Sequence, residues 1–251
     1  IIHAKKLKKN KLKYLTINEA TKYYESNNTI VAESANILSK NWKLENVSIL
    51  SNDGASKKFK SYVHNSSFDG EIISNDNKHL TSSISSFYKY FQSKYQLYQK
   101  SYLIYGFSGG SQFVHRYMMY GDDIAIEKAA IGSAGWYTFI NSEPFPYGIK
   151  NKPIDKDRMA RFMSREVLFL LGEEDNSPNH SSLNSSKGAM NQGNNRLERG
   201  IRYFQNLTKV SEKLELSFRW RYKLVKGLDH DTYGMTENAL PYLLSDQDYE
   251  N

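Results

Sequence analysis

Apolar residues in this chain gather into short runs that break at glycine or acidic clusters, and these runs alternate with stretches where apolar residues recur every three or four positions. Tyr102-Leu103-Ile104-Tyr105 is a run of strand character, and beyond a five-residue turn Phe113, Val114, Tyr117 and Met118 fall on one helical face. Ahead of it, Ile84, Phe87, Tyr88, Phe91 and Tyr95 repeat at helical spacing and predict a helix over 81–98. Further strands are predicted over 126–134 and over the wholly apolar 167–171. In 218–225, Phe218, Trp220, Tyr222 and Leu224 alternate with Arg219, Arg221 and Lys223, which predicts an outer strand with its basic residues on a solvated face. Leu197, Ile201, Phe204 and Leu207 predict a helix over 196–214, and 238–244 reads as a closing helix in spite of Pro241. Helices and buried strands in alternation predict an α/β fold with a mostly parallel central sheet.

Elsewhere the pattern is less regular. Thr16-Ile17-Asn18-Glu19 reads as a capping box that opens a first helix, and Ile30, Val31, Ala35, Leu38 and Trp42 give 29–44 one apolar face. Short strands are expected at 47–50, 59–63 and 71–74, separated by Asn52-Asp53-Gly54 and Asp69-Gly70 turns. Between 140 and 163 the chain reads as irregular, with Pro144, Pro146, Pro153, Phe145 and Tyr147, and suits a partial lid. Residues 176–195 are rich in Asn, Ser and Gly and read as a long surface loop. With 251 residues the expectation is one domain, in which 1–79 supply a basic tail, helices and early strands and 80–251 the core.

Charge changes this picture little. Of the net +7, six charges come from Lys5, Lys6, Lys8, Lys9, Lys11 and Lys13, so the remainder is nearly balanced and the basic end reads as a solvated tail, with no nucleic-acid partner expected. No apolar signal segment or run of membrane-spanning length occurs, so the chain is expected to be soluble, either cytoplasmic or exported after loss of a leader. Zero cysteines exclude disulfides, thiolate metal sites and a cysteine nucleophile. The six histidines are scattered without ligand spacing, and phosphate-loop and dinucleotide patterns are absent, so no metal or cofactor is expected.

The candidate chemistry sits at the ends of the predicted strands. Gly106-Phe107-Ser108-Gly109-Gly110 matches G-x-S-x-G between a strand and a helix, the setting in which a turn holds a serine hydroxyl exposed. The following helix start makes the Gly109 N–H a natural donor to an oxyanion. The strand over 167–171 opens into Gly172-Glu173-Glu174-Asp175, and the strand over 218–225 breaks at Gly227 into Leu228-Asp229-His230-Asp231. Ser108, Asp175 and His230 therefore follow one another in the order of nucleophile, acid and base. Glu174 stands as the alternative acid, while Asp229 and Asp231 are too near His230 in sequence to be preferred. His115, two turns into the helix after Ser108, reads as a hydrogen-bonded structural residue, and Phe107, Trp136 and Tyr137 as a pocket wall, with ordinary loop packing an equal reading of the aromatic cluster after 135.

These features resemble the α/β-hydrolase superfamily over residues 80–244. GFSGGSQFVHR from Gly106, GSAGWYTF from Gly132 and PNHSSLNSSKGAMNQGNNRLERG from Pro178 are similar to bacterial serine hydrolases of the polyhydroxybutyrate-depolymerase and esterase-like group. The resemblance implies acyl hydrolysis of a small or polymeric ester. One departure stands out: the superfamily carries an H-G-type loop that supplies a second oxyanion N–H, and the nearest match before Ser108 is Val63-His64-Asn65-Ser66. A peptidase on the same fold and a non-catalytic ligand- or partner-binding protein remain alternatives.

Overall fold

A computed structural model of the chain describes residues 2–3, 83–121 and 124–245. The helices and strands expected between 16 and 74, and the His64 turn, lie outside the described residues. The described strands are β1 (Ile2–His3), β2 (Tyr102–Phe107), β3 (Ile126–Gly132), β4 (Val167–Gly172) and β5 (Trp220–Val225), the last three neighbouring one another in the order β3-β4-β5. The helices are α1 (Ser83–Tyr95), α2 (Gly109–Tyr120), α3 (Lys156–Met163), α4 (Lys187–Gln192), α5 (Arg196–Leu214) and α6 (Thr232–Leu244). Two compact units divide the chain, one of Ile1–Leu103 with Gly121–Ile126, the other of Ile104–Tyr120 with Glu127–Asn251. In the first, the Tyr88 hydroxyl on α1 donates to the Gln99 and Ser101 carbonyls at 2.5 and 2.9 Å, and its ring packs on Tyr102.

The second unit carries the parallel strands. Ala129 pairs with Val167 and Gly132 with Leu170, and Val167 pairs with Trp220 and Gly172 with Val225, so β3, β4 and β5 run in one direction. Every residue of β4 is buried, as its unbroken apolar sequence requires of a strand covered on both faces. Successive residues of a strand point to opposite faces, and this sorts the helices. A Cβ on Gly132 would meet Met235 of α6 and the neighbouring Leu170, whereas a Cβ on Gly200 of α5 would meet Leu171. Thus α6 covers the Leu170 face and α5 the Leu171 face. On the α5 face Phe169 meets Tyr203, Phe204 and Trp220, an aromatic layer in which each fully buried ring contributes about 1.5–3 kcal/mol.

Four expectations are corrected. The stretch expected to be irregular contains α3, opened by Asp155, whose carboxylate accepts from the Arg158 N–H, with Phe162 and Met163 turned into the core. The loop over 176–195 contains the short helix α4, capped by Ser186. The closing helix starts six residues earlier than expected, at Thr232, because Asp231 caps it by accepting from the N–H groups of Tyr233 and Gly234 at 3.0 and 2.8 Å. In β5, Arg221 and Lys223 are half-buried on the α6 face, where the Arg221 guanidinium lies over the Tyr242 ring. The more exposed residues of that strand are Tyr222 and Leu224. The alternation there separates the two faces of the strand, and the Arg221 side chain partly covers an aromatic ring.

Two buried polar residues tie the segment after β3 to α2. His115 is fully buried; its Nδ1–H donates to the Ser111 carbonyl at 2.8 Å and its Nε2 accepts from the Thr138 N–H at 3.1 Å, which fixes a neutral tautomer. Gln112, with its amide oxygen turned toward that segment, accepts from the Gly135 N–H at 3.3 Å and the Trp136 indole N–H at 3.2 Å.

Burial, reinforced by the charge of Arg116, pushes His115 down to about 3 from an ordinary value of 6.5. Between those values the unfolded chain takes up a proton that the folded one refuses, so this residue's contribution is complete above about pH 6.5 and is lost as the pH falls toward about 3. Urea unfolding of the native protein and of His115→Gln at pH 7 and pH 5 should show the native protein losing about 2 kcal/mol more than the variant over that interval. Equal losses would contradict a buried neutral imidazole.

Candidate active site

The turn between β2 and α2 is built by close approach of backbone to backbone. A Cβ at Gly106 would lie 2.4 Å from the Gly110 carbonyl oxygen, a separation no side chain tolerates, so the first glycine of the motif is a steric requirement. At Gly110 a Cβ would meet nothing within 4 Å. Ser108 sits between them at φ 53°, a left-handed conformation that costs a non-glycine residue about 1–2 kcal/mol. It is held there from both sides: its N–H donates to the Gly132 carbonyl at 2.9 Å, and its carbonyl accepts from the Gln112 N–H at 3.1 Å. Gly109 begins α2, so its N–H has no acceptor within the helix and is available beside the serine.

The segments after β4 and β5 are laced together below that turn. A Cβ on Gly172 would lie 2.4 Å from the Leu228 carbonyl oxygen, and the N–H groups of Glu173 and Glu174 donate to the carbonyls of Val225 and Leu228 at 3.0 and 2.8 Å. This lacing separates the acids. Glu173 accepts from the Gly227 N–H at 3.0 Å, Glu174 points to solvent, Asp231 caps α6, and Asp175 turns inward at 4% exposure. The His230 ring stands over it, 4.7 Å from the Phe107 ring and 5.5 Å from the His180 ring between centroids.

These placements bring Ser108, His230 and Asp175 into one hydrogen-bonded series. Ser108 Oγ is 3.0 Å from His230 Nε2, and His230 Nδ1 is 2.8 Å from Asp175 Oδ2. A carboxylate only accepts, so Nδ1 carries the hydrogen, and in the neutral ring the Nε2 lone pair accepts the serine O–H. The arrangement is that of a hydroxyl with an adjacent base whose tautomer is set by a buried acid. Asp175 has a second ion partner that the sequence did not single out: Arg196 Nη1 lies 3.2 Å from Oδ1, with both side chains almost wholly buried.

Of the three expected pocket residues, only Phe107 keeps accessible surface next to His230. Trp136 and Tyr137 are 1% and 0% exposed, and this corrects their expected role: a ring with no accessible surface forms core, not the wall of an open pocket. The Trp136 ring packs edge-on to Tyr147 beneath the Arg116 guanidinium, and Tyr137 stacks on Tyr203 at 4.5 Å. The second oxyanion donor sought around His64 lies outside the described residues.

Poly(aspartic acid) hydrolase-1 from Sphingomonas sp. KT-1 superposes with a TM-score of 0.65 at 29% identity, covering 68% of this chain and 65% of that one. LpqC, a poly(3-hydroxybutyrate) depolymerase from Bordetella parapertussis, gives a TM-score of 0.66 at 20% identity over 78% of this chain and 68% of that one. The chain has the α/β-hydrolase fold. It spans about two thirds of the length of each of these proteins. No protein-family model matches the sequence, and no curated protein matches it. Within an α/β-hydrolase fold the carboxyl ends of β2, β4 and β5, where Ser108, Asp175 and His230 stand, lie at one edge of the parallel sheet, where ligands of open α/β sheets bind. Among the described residues, no helix is long and apolar enough to cross a membrane.

The two glycines of the turn should respond differently to one added methyl group. Gly106→Ala is expected to cost about 3 kcal/mol or more, because backbone stands in its way, whereas Gly110→Ala should change stability by no more than about 1 kcal/mol. Thermal melting of the two variants checks this, and equal destabilisation would contradict the turn geometry.

Proposed function

We propose that the protein is a serine hydrolase that cleaves carboxylic esters through an acyl-enzyme intermediate. His230 Nε2 takes the Ser108 proton as Oγ attacks the ester carbonyl, and the negative charge that develops on the carbonyl oxygen is received by the Gly109 N–H. The tetrahedral species collapses with transfer of the His230 proton to the departing alcohol, leaving Ser108 acylated. Water then gives a proton to His230 and attacks the acyl group, and return of that proton to Oγ releases the acid. Asp175 keeps the imidazole in the tautomer that presents a lone pair to Ser108 and offsets the positive charge it carries in each transition state.

The observation that carries this reading is the unbroken series from Ser108 Oγ through His230 to Asp175 at 3.0 and 2.8 Å, starting from a serine held at positive φ at a strand end. Backbone strain of this kind gathers at functional positions. Similarity at 29% identity to a named hydrolase supports the same class of reaction. It also favours a second reading, cleavage of an amide-linked polymer, since the monomers of poly(aspartic acid) are joined through amide bonds. The two share the nucleophile and base and differ in the leaving group that His230 must protonate.

Labelling with a fluorophosphonate probe tests the shared part. The native protein should label, Ser108→Ala and His230→Ala should not, and turnover of a p-nitrophenyl ester should fall at least about ten-thousand-fold in both variants. Retention of ester turnover by folded Ser108→Ala would refute the serine mechanism. Parallel assays on a polyester and on poly(aspartic acid) then separate the two leaving groups.

A further inference from the structure

The acid of the series is gripped from a side that the mechanism above does not use. Asp175 gives Oδ2 to His230 and Oδ1 to Arg196, whose guanidinium is 1% exposed and whose Nη1 lies 3.2 Å away. The other arm of the same fork, Nη2, donates to Ser182 Oγ at 2.8 Å. Ser182 in turn holds the His180 ring, its N–H donating to Nδ1 at 3.2 Å and its Oγ lying 3.1 Å from the same nitrogen. That ring stands edge-on to His230, opposite in kind to the tilted contact with Phe107. Arg196 is also the first residue of α5, and the next N–H in that helix, from Leu197, donates to the Asp175 carbonyl at 3.1 Å.

One side chain therefore holds two things at once, the second oxygen of the acid and the loop that borders the histidine, while the backbone of the same helix start holds the Asp175 carbonyl. A cation at the first turn of a helix opposes the helix dipole, so this position is unfavourable for Arg196 unless an anion compensates it. Asp175 is that anion. The planar fork reaches two acceptors in fixed directions, which an ammonium group does not reproduce.

We propose that Arg196 is a positioning residue for the Ser108–His230–Asp175 series, acting through Asp175 and the Ser182–His180 segment. The proposal rests on the serine-hydrolase reading above. It assigns Arg196 no contact with substrate: it sets the direction from which Oδ2 meets His230 Nδ1, and without it Asp175 is left with an uncompensated oxygen free to turn away. Misalignment of this order costs about a hundredfold in rate.

The test is a double-mutant cycle in the full chain, reading kcat and KM for a p-nitrophenyl ester and the rate of fluorophosphonate labelling. Arg196→Met should lower kcat and the labelling rate by roughly 10- to 100-fold with KM changed less than about twofold. Arg196→Lys should recover part of that loss. In an Asp175→Asn background, Arg196→Met should add less than about a twofold further loss, because the residue it acts through is already gone. Native kcat in Arg196→Met, a full additional loss in the Asp175→Asn background, or a loss confined to KM would each overturn the proposal. Should Arg196→Met not fold, Arg196→Lys carries the cycle, with an expected loss of about three- to tenfold that again vanishes with Asp175→Asn. Ser108→Ala is measured alongside. An inactive Ser108→Ala with a native-like Arg196→Met defeats the Arg196 proposal alone, whereas an active Ser108→Ala defeats the serine reading and this proposal with it.

Discussion

The close approach of Gly106 to the Gly110 carbonyl is the constraint on which the rest of the site depends. It forces the chain to reverse from strand to helix within three residues, and Ser108 absorbs that reversal at positive φ. The strain at Ser108 is offset by the two backbone hydrogen bonds that flank it, one of which reaches the end of β3. The turn is therefore stable only where β3 already stands beside β2, and its geometry is a property of the sheet more than of the five-residue motif.

A second constraint decides which acid meets the histidine. Five carboxylates, Glu173, Glu174, Asp175, Asp229 and Asp231, lie within a few residues of the ends of β4 and β5, and composition gives no reason to choose between them. The choice follows from backbone pairing across Gly172 and Leu228, which fixes the register of the two exit loops. With that register Glu173 faces the Gly227 N–H, Glu174 faces water, and Asp175 alone is carried under His230. The tight turn that the Asp175 N–H closes on the Gly172 carbonyl at 3.2 Å is what sends the three acids in different directions.

Periodicity and chain order made much of this legible. The wholly apolar run over 167–171 reads as a buried strand and lies in one, Val167–Gly172, and the helix expected over 196–214 runs over Arg196–Leu214. What was missed was local or depended on tertiary partners. Asp155, Asp157 and Arg161 are ordinary start and stop signals for α3, obscured by the prolines that precede them, and Gly234 hid the first turn of α6 although Asp231 was in place to cap it. Trp136 and Tyr137 are ambiguous in the sequence for a different reason. An aromatic pair at a strand end reads equally as pocket or core, and only the groups around it decide.

Those groups are polar, and they explain why that segment is core. Gln192 clamps the Tyr137 backbone from both sides, accepting from its N–H at 2.9 Å and donating to its carbonyl at 2.6 Å, while Arg199 donates to the Gly135 carbonyl and Gln112 accepts from the Gly135 N–H. A loop buried in this way needs a partner for each exposed peptide group, and here long side chains from α2, α4 and α5 supply them. Arg199 and Arg196 lie near the start of the same helix, the first holding the segment after β3 and the second holding Asp175 after β4. Helix α5 thus fixes the exits of two adjacent strands from one end. The charge needed to do so is buried, and a buried guanidinium is tolerated only while its acceptors stay in place. The order of these two exits and the order of the first turn of α5 are therefore a single structural condition, and the Ser108–His230–Asp175 alignment is set on top of it.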